Sequence, residues 1–266
     1  MPAIALNGTT LHYELDGPEA APVVALSNSL STDLRMWNPQ HPALAAKYRV
    51  LRYDVRGHGR SAPAPAPYSV ELLADDLAAL LTALNLGPAH IVGLSLGGMT
   101  AQVMGIRHPD LCASLALVAT TCRPPFGSAD AWAKRAQEVR DVGDFSQLEA
   151  PMIDRWLTRR FRRANPQGVA LVQQMIHATS LEGYAGACHA IGGLDACGQL
   201  RDFPRPVRIW AGEEDPGTTV EDARQIAAGI PHATLVIVEH ARHLLNWDAE
   251  ARFTPSLLAW LAEVSA

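Results

Sequence analysis

A serine between two glycines is the clearest chemical feature of the sequence. Ser95 lies in the segment Gly93-Leu94-Ser95-Leu96-Gly97, after the apolar run 90–92 and before a helix-compatible stretch, 98–108. A sharp strand-to-helix turn strains the serine backbone and needs both glycines, because strand and helix approach too closely for larger side chains. The segment therefore predicts a nucleophilic serine, provided that a histidine and a carboxylate reach it.

The acid that such a serine needs is expected downstream, on a loop that follows a strand. The apolar run 207–212 leads into the acidic segment 213–217, in which a proline and a glycine mark a sharp exit from a sheet. Asp215 is the predicted acid, because it lies next to the proline, where the fold that carries such a serine places its aspartate. Glu213 and Glu214 are the local alternatives, since an acidic loop is often only a solvated turn.

The histidine is expected after the acid, following the strand-like run 235–238. Two histidines follow that run, His240 close to its end and His243 just before the last helical segment. A longer loop lets an imidazole swing over the serine, so His243 is the predicted base. None of the ten histidines falls in an HExxH or similar ligand spacing, and the sequence predicts neither a metal site nor a cofactor.

Hydrolysis through a serine also needs two donors for the oxyanion of the tetrahedral intermediate. One is the backbone N–H after the nucleophile, which belongs to Leu96, and the other comes from the loop after an early strand. The strand-like run 23–27 leads to Leu30, the predicted second donor. The same positions also fit two apolar leucines in a pocket wall, because a backbone donor still carries a side chain.

The elements that must position these residues form an alternating series. Short apolar runs rich in β-branched residues alternate with helix-length segments, which predicts an α/β fold with a mostly parallel sheet and helices on both faces. The runs lie at 23–27, 48–53, 90–92, 115–119, 207–211 and 235–238. The first segment, 4–15, carries Asn7-Gly8 between two alternating runs and predicts an antiparallel hairpin, so the sheet is mixed at its start.

The alternation stops between residues 123 and 202. Amphipathic helical segments dominate there, and prolines flank the region on both sides. We predict a helical cap, called the cap segment below, inserted into an α/β core formed by residues 1–122 and 203–266.

Composition narrows the class of protein. The 266 residues carry a formal net charge of −5, which gives no reason to expect nucleic acid as a partner. No stretch of 18 apolar residues occurs, and the first residues lack the basic and apolar regions of a targeting segment, so no membrane association is expected. The oligomeric state is not predicted.

The four cysteines, Cys112, Cys122, Cys188 and Cys197, have neither CxxC spacing nor the density of a disulfide scaffold. Buried or free thiols are therefore expected. Free thiols would place the protein in a reducing compartment, and we expect it to be cytoplasmic.

The sequence resembles the α/β-hydrolases, and within them the 3-oxoadipate enol-lactonases of bacterial aromatic catabolism, over nearly the whole chain. General features of the superfamily are the segments 54–61, 93–99 and 211–216, together with the terminal His243. More specific are Ser27-Asn28-Ser29-Leu30, which looks like that group's replacement for a His-Gly oxyanion segment, and the cap sequences 132–135, 155–156 and 183–188. The loop 215–218 departs from the expected alanine-rich continuation but leaves the triad intact.

The resemblance implies hydrolysis of a small anionic substrate, a five-membered enol-lactone with a carboxymethyl arm, to 3-oxoadipate. Ser95 would attack the lactone carbonyl, His243 would accept the proton, and Asp215 would orient the imidazolium.

The cap segment can supply a partner for the anionic arm. Residues 123–163 hold nine basic and six acidic side chains, although the whole chain is acidic. Arg135 is the predicted carboxylate partner, one helical turn from Trp132, which is a predicted pocket wall, and Trp156 is a further candidate. The alternatives are a solvated helix face for the arginine and ordinary packing for the tryptophans.

Other functions of the same fold share parts of this pattern. A generic carboxylesterase or a cofactor-free perhydrolase would use the same triad on neutral esters or acetate. Dehalogenases and epoxide hydrolases place an aspartate where this chain has Ser95, which argues against them. A ligand-binding module that lost turnover is disfavoured by a complete triad.

Overall fold

The computed structural model describes residues 2–265, which form one eight-stranded sheet with helices between the strands. The strands are β1 (Ala3–Leu6), β2 (Thr9–Asp16), β3 (Val23–Ser27), β4 (Arg49–Tyr53), β5 (Ala89–Leu94), β6 (Cys112–Val118), β7 (Val207–Gly212) and β8 (Thr234–Val238). The helices are α1 (His41–Ala45), α2 (Val70–Ala83), α3 (Leu96–Arg107), α4 (Ala129–Val142), α5 (Ser146–Trp156), α6 (Arg159–Ala164), α7 (Pro166–His177), α8 (Leu181–Gly192), α9 (Val220–Gly229), α10 (Leu245–Asp248) and α11 (Glu250–Val264). None of the helices in this range combines the length and the apolar character needed to cross a bilayer.

The sheet is mixed at one edge and parallel elsewhere. Its strand order is β1-β2-β4-β3-β5-β6-β7-β8, with antiparallel pairing from β1 through β2 to β4 and parallel pairing from β4 through β8. The predicted α/β class, the opening hairpin and the mostly parallel sheet are confirmed. The bounds differ most at β6, which begins at Cys112 rather than 115, because the polar Ser114 is buried in it against His90.

Parallel pairing brings the carboxyl ends of β3, β5, β7 and β8 to one edge of the sheet. The loops after these strands carry Leu30, Ser95, Asp215 and His243 in turn. In open α/β sheets this edge is where ligands bind. The order of the strands therefore brings together residues that are far apart in the sequence.

Between β6 and β7 the cap segment forms α4 to α8, without a strand. Helix α4 buries Trp132, Ala136 and Val139, which recur with helical spacing, and packs this stripe against α8. It ends at Gly143, whose φ of 80° is a left-handed conformation that glycine adopts without strain.

The cap segment rests on the core at a contact between two glycine backbones. A Cβ atom added to Gly183 in α8 would lie 2.2 Å from the carbonyl oxygen of Gly57, in the loop after β4. The same carbonyl accepts hydrogen bonds from the N–H and the hydroxyl of Ser180, at 2.9 and 3.0 Å. Glycine at position 183 is therefore required by the close approach of the two backbone segments.

The expectation that all four cysteines are free thiols is wrong. Cys122 and Cys197 form a disulfide with a Cα–Cα distance of 4.9 Å, while Cys112 and Cys188 are free and buried. The bonded pair lies at the two ends of the cap segment, and the N–H of Ala196 also donates to the carbonyl of Cys122 at 2.8 Å. Spacing rules that look for nearby cysteines cannot find a pair separated by 75 residues. The inference of a reducing compartment loses the support it drew from four thiols.

Candidate active site

Ser95 occupies a strained turn between β5 and α3. Its φ is 57° and its ψ is −114°, an unfavourable conformation for a residue with a side chain. The backbone is held by hydrogen bonds from the Ser95 N–H to Val118 and from the Thr120 hydroxyl to the Ser95 carbonyl. A Cβ on Gly93 would lie 2.0 Å from the carbonyl oxygen of Gly97, so the turn excludes a larger residue there.

Asp215 and His243 form a direct pair on the loops after β7 and β8. Nδ1 of His243 lies 2.7 Å from Oδ2 of Asp215, and both side chains are buried. The Asp215 carboxylate also accepts bonds from the N–H of Gly217 and from the N–H and hydroxyl of Thr218. These bonds fix the position of the carboxylate. Because Asp215 contacts Nδ1 of His243, the other ring nitrogen, Nε2, is not bonded to Asp215.

The alternatives to this pair lie on the surface. Glu213 and Glu214 are each about half exposed and lie beside His240, which is itself largely exposed. The three side chains lie next to one another, and none of them lines the cavity described below.

The two predicted oxyanion donors belong to two different elements. Leu96 is the first residue of α3, where a backbone N–H has no acceptor within the helix. Leu30 lies in the loop after β3. Neither N–H has a hydrogen-bond acceptor in the part of the chain that the structure describes.

A narrow, partly open cavity joins the sheet edge to the cap segment. From the core it is lined by Leu30, Ser95 and His243, and from the cap segment by Trp132, Arg135 and Trp156. The residues that the sequence singled out thus meet at one place, with Asp215 behind His243.

Ser95 and His243 share this cavity without a hydrogen bond to each other among the described atoms. The indole of Trp156 stacks on the imidazole of His243, with ring centres 6.4 Å apart and planes inclined by 26°. The carbonyl of Trp156 also accepts a bond from the N–H of Leu244. These contacts fix the plane of the imidazole, so the ring of His243 is oriented by the cap segment as well as by Asp215.

Arg135 is half-buried at the cap side of the cavity. Its Nε donates to the hydroxyl of Tyr184 at 2.5 Å, and its guanidinium lies over the ring of Trp132, 5.6 Å from the ring centre. Trp132 is fixed in turn by a bond from its indole nitrogen to the carbonyl of Pro125. One edge of the guanidinium is therefore held, and its terminal nitrogens remain for a ligand.

Arg155 is a second cavity cation that sequence reasoning missed. It is half-buried, lines the cavity and lies over the ring of Phe126 at 5.0 Å. Burial lowers the pKa of its guanidinium, and the positive charge of Arg135 lowers that pKa further. Neither arginine forms an ion pair with a carboxylate in residues 2–265. The available signal was its place in the cap sequence 155–156, which the resemblance had already singled out.

Thr218 is the other residue that was missed. Its hydroxyl lies 2.8 Å from Oδ2 of Asp215 and 3.3 Å from Nδ1 of His243, so it touches both members of the pair. Its place directly after an Asp-Pro-Gly turn is the signal that could have identified it.

Comparisons with known proteins agree with this architecture. A family model described as the alpha/beta hydrolase fold matches residues 22–250. The chain is 35% identical to 3-oxoadipate enol-lactonase 2 of Acinetobacter baylyi, covering 96% of this chain and 94% of that protein. It is 34% identical to 3-oxoadipate enol-lactonase 1 of the same organism, with 93% and 91% covered. The enol-lactonase from Burkholderia xenovorans LB400 has a similar crystal structure, with a TM-score of 0.93, 36% identity, and 98% and 100% covered.

Proposed function

Since the chain belongs to the α/β-hydrolase family, we propose that it opens 3-oxoadipate enol-lactone to 3-oxoadipate through an acyl-enzyme on Ser95. Hydrolase activity follows from the family, and the similarity to enol-lactonases supports this substrate. Ser95, His243 and Asp215 are the proposed nucleophile, base and orienting acid.

One observation carries the proposal. A single cavity holds a serine on a strained turn, a histidine paired with a buried carboxylate, and two arginines that form no direct ion pair within residues 2–265. The first two features suit acyl transfer, and the third suits a substrate with a negative charge. A neutral ester would leave both half-buried guanidinium groups without a carboxylate in direct contact.

In the first half of the reaction, Ser95 Oγ bonds to the lactone carbonyl carbon while Nε2 of His243 takes its proton. The carbonyl oxygen becomes an oxyanion and accepts bonds from the N–H groups of Leu30 and Leu96. The ring C–O bond then breaks, and His243 returns the proton to the leaving enolate. The resulting enol becomes a ketone, while the acyl group stays on Ser95 as an ester.

In the second half, water attacks the ester and loses a proton to His243. The C–O bond to Ser95 breaks, the serine regains its proton, and 3-oxoadipate is released. Asp215 keeps Nδ1 protonated throughout and stabilises the imidazolium that forms twice.

Arg135 and Arg155 are proposed to bind the carboxymethyl arm. A guanidinium can bind a carboxylate through two parallel hydrogen bonds, and the tether of Arg135 to Tyr184 reduces the freedom lost on binding. Trp132 and Trp156 are proposed as apolar walls around the lactone ring.

The test is a side-by-side measurement of kcat/KM for 3-oxoadipate enol-lactone and p-nitrophenyl acetate. The proposal predicts a large preference for the lactone, because only the lactone carries an anionic group for the arginines. A preference for the acetate ester would instead indicate a general carboxylesterase built on the same triad.

A further inference from the structure

A buried hydroxyl next to the oxyanion donors takes no part in the chemistry described above. Ser29 lines the cavity and is only 1% exposed. Its Oγ has no hydrogen-bond partner among residues 2–265. An unpaired polar group in a protein interior lowers stability, so such a hydroxyl is informative wherever a ligand could supply the missing partner.

The loop does not need this hydroxyl for its own structure. The backbone carbonyl of Ser29, rather than its side chain, accepts the bonds that close the turn, from the N–H of Thr32 at 3.2 Å and its hydroxyl at 2.8 Å. The preceding residue, Asn28, is tied to the carbonyl of Tyr53 by its side-chain amide at 2.8 Å. The loop is therefore held on both sides of Ser29 without its Oγ.

The position of Ser29 limits what its hydroxyl can reach. The carbonyl carbon of Ser29 and the nitrogen of Leu30 share one planar peptide unit. The Ser29 hydroxyl is attached two bonds from that unit, so an oxygen bound to the Leu30 N–H also lies within reach of the Ser29 hydroxyl in a suitable rotamer.

We propose that the Ser29 hydroxyl donates a third hydrogen bond to the oxyanion, beside the N–H groups of Leu30 and Leu96. This role rests on the proposed acyl transfer at Ser95. The hydroxyl keeps its own proton and only stabilises the negative charge that develops on the carbonyl oxygen. Because that oxygen is common to lactones and open-chain esters, the contribution applies to both classes of substrate.

The experiment compares Ser29→Ala with Ser31→Ala. Both variants remove a buried hydroxyl without a partner from the same loop, but Ser31 does not line the cavity. We expect Ser29→Ala to lower kcat on the order of 10²-fold for both the enol-lactone and p-nitrophenyl acetate, with little change in KM. Ser31→Ala should keep the wild-type kcat, and both variants should keep the wild-type Tm within a few degrees.

Equal kcat values for the two variants would overturn the proposal. A rise in KM confined to the lactone would also overturn it, because the hydroxyl would then bind the carboxylate arm instead. Ser29→Cys, which preserves the side-chain volume but is a weak donor, should repeat the loss of kcat if Ser29→Ala does not fold. If the wild type hydrolyses only the acetate ester, the proposed substrate fails, while the ester measurement still tests Ser29.

Discussion

The sheet edge and the cap segment hold their functional residues in different ways. At the sheet edge, the carboxylate of Asp215 accepts four hydrogen bonds, three of them from Gly217 and Thr218. In the cap segment, Arg155 is held by one ring contact, and Arg135 by one hydroxyl and the ring faces of Trp132 and Tyr184. Groups that move protons need fixed geometry, while groups that bind an anion need an accessible charge.

The difference has a kinetic consequence. Changes at the sheet edge should lower kcat for every ester, since the proposed mechanism takes all substrates through the same tetrahedral intermediate. Changes to the cap arginines should act on KM, and only for substrates with a negative charge. Changes at the contact between Gly57 and Gly183, where the cap segment meets the core, should affect both kcat and KM.

The contact between Gly183 and Gly57, where the cap segment rests on the core, is expected to give the largest effect, a loss of stability. Gly183→Ala places a methyl group 2.2 Å from the Gly57 carbonyl, a backbone atom that cannot move aside easily. We expect a loss of about 3 kcal/mol in unfolding free energy, and a Tm lower by about 6–12 °C. Gly193→Ala is the matched control, because the nearest atom to its added methyl is 3.6 Å away. Equal melting temperatures for the two variants would show that the contact between the glycine backbones does not hold the cap segment.

Arg155→Met should sharpen the kinetic distinction. The variant keeps a long apolar side chain against Phe126 but removes the charge. We expect KM for the enol-lactone to rise about 10- to 100-fold, the range for a lost hydrogen bond to a charged group. KM for p-nitrophenyl acetate should stay near the wild-type value. A similar rise for both substrates would mean that Arg155 shapes the cavity rather than binding the anion, and Arg135→Met can be judged by the same criterion.

Thr218→Val should give the smallest effect, and it should change kcat rather than KM. Valine fills the same volume but removes the hydroxyl that lies between Asp215 and His243. We expect kcat to fall about 2- to 10-fold for both substrates, because the Asp215 carboxylate keeps three of its four hydrogen bonds. A change confined to KM would contradict the positioning role of Thr218.

The two regions also differed in how far the sequence could predict them. At the sheet edge, a glycine on each side of Ser95 and a turn after each strand follow from backbone constraints that leave few alternatives. The same rules predicted Asp215 and His243 on the loops after two neighbouring strands. The structure brings the two side chains within 2.7 Å of each other.

In the cap segment no such constraint applies. Eight arginines lie between residues 123 and 163, and helical periodicity alone does not tell which face the cavity. Arg135 was predicted as the carboxylate partner and lines the cavity, whereas Arg155 was noted only within the cap sequence 155–156 and lines the cavity as well. The disulfide was missed for a related reason, since Cys122 and Cys197 are 75 residues apart in the sequence and only the fold brings them together.

The central claim, a covalent intermediate on Ser95, is tested most directly by labelling with a serine-directed phosphonate and locating the adduct by peptide mass spectrometry. The account predicts one adduct on Ser95 and complete loss of turnover in step with labelling. It also predicts that Ser95→Ala takes up no label, turns over neither substrate and melts at nearly the wild-type temperature. A label on another residue, or turnover that persists in Ser95→Ala, would contradict it.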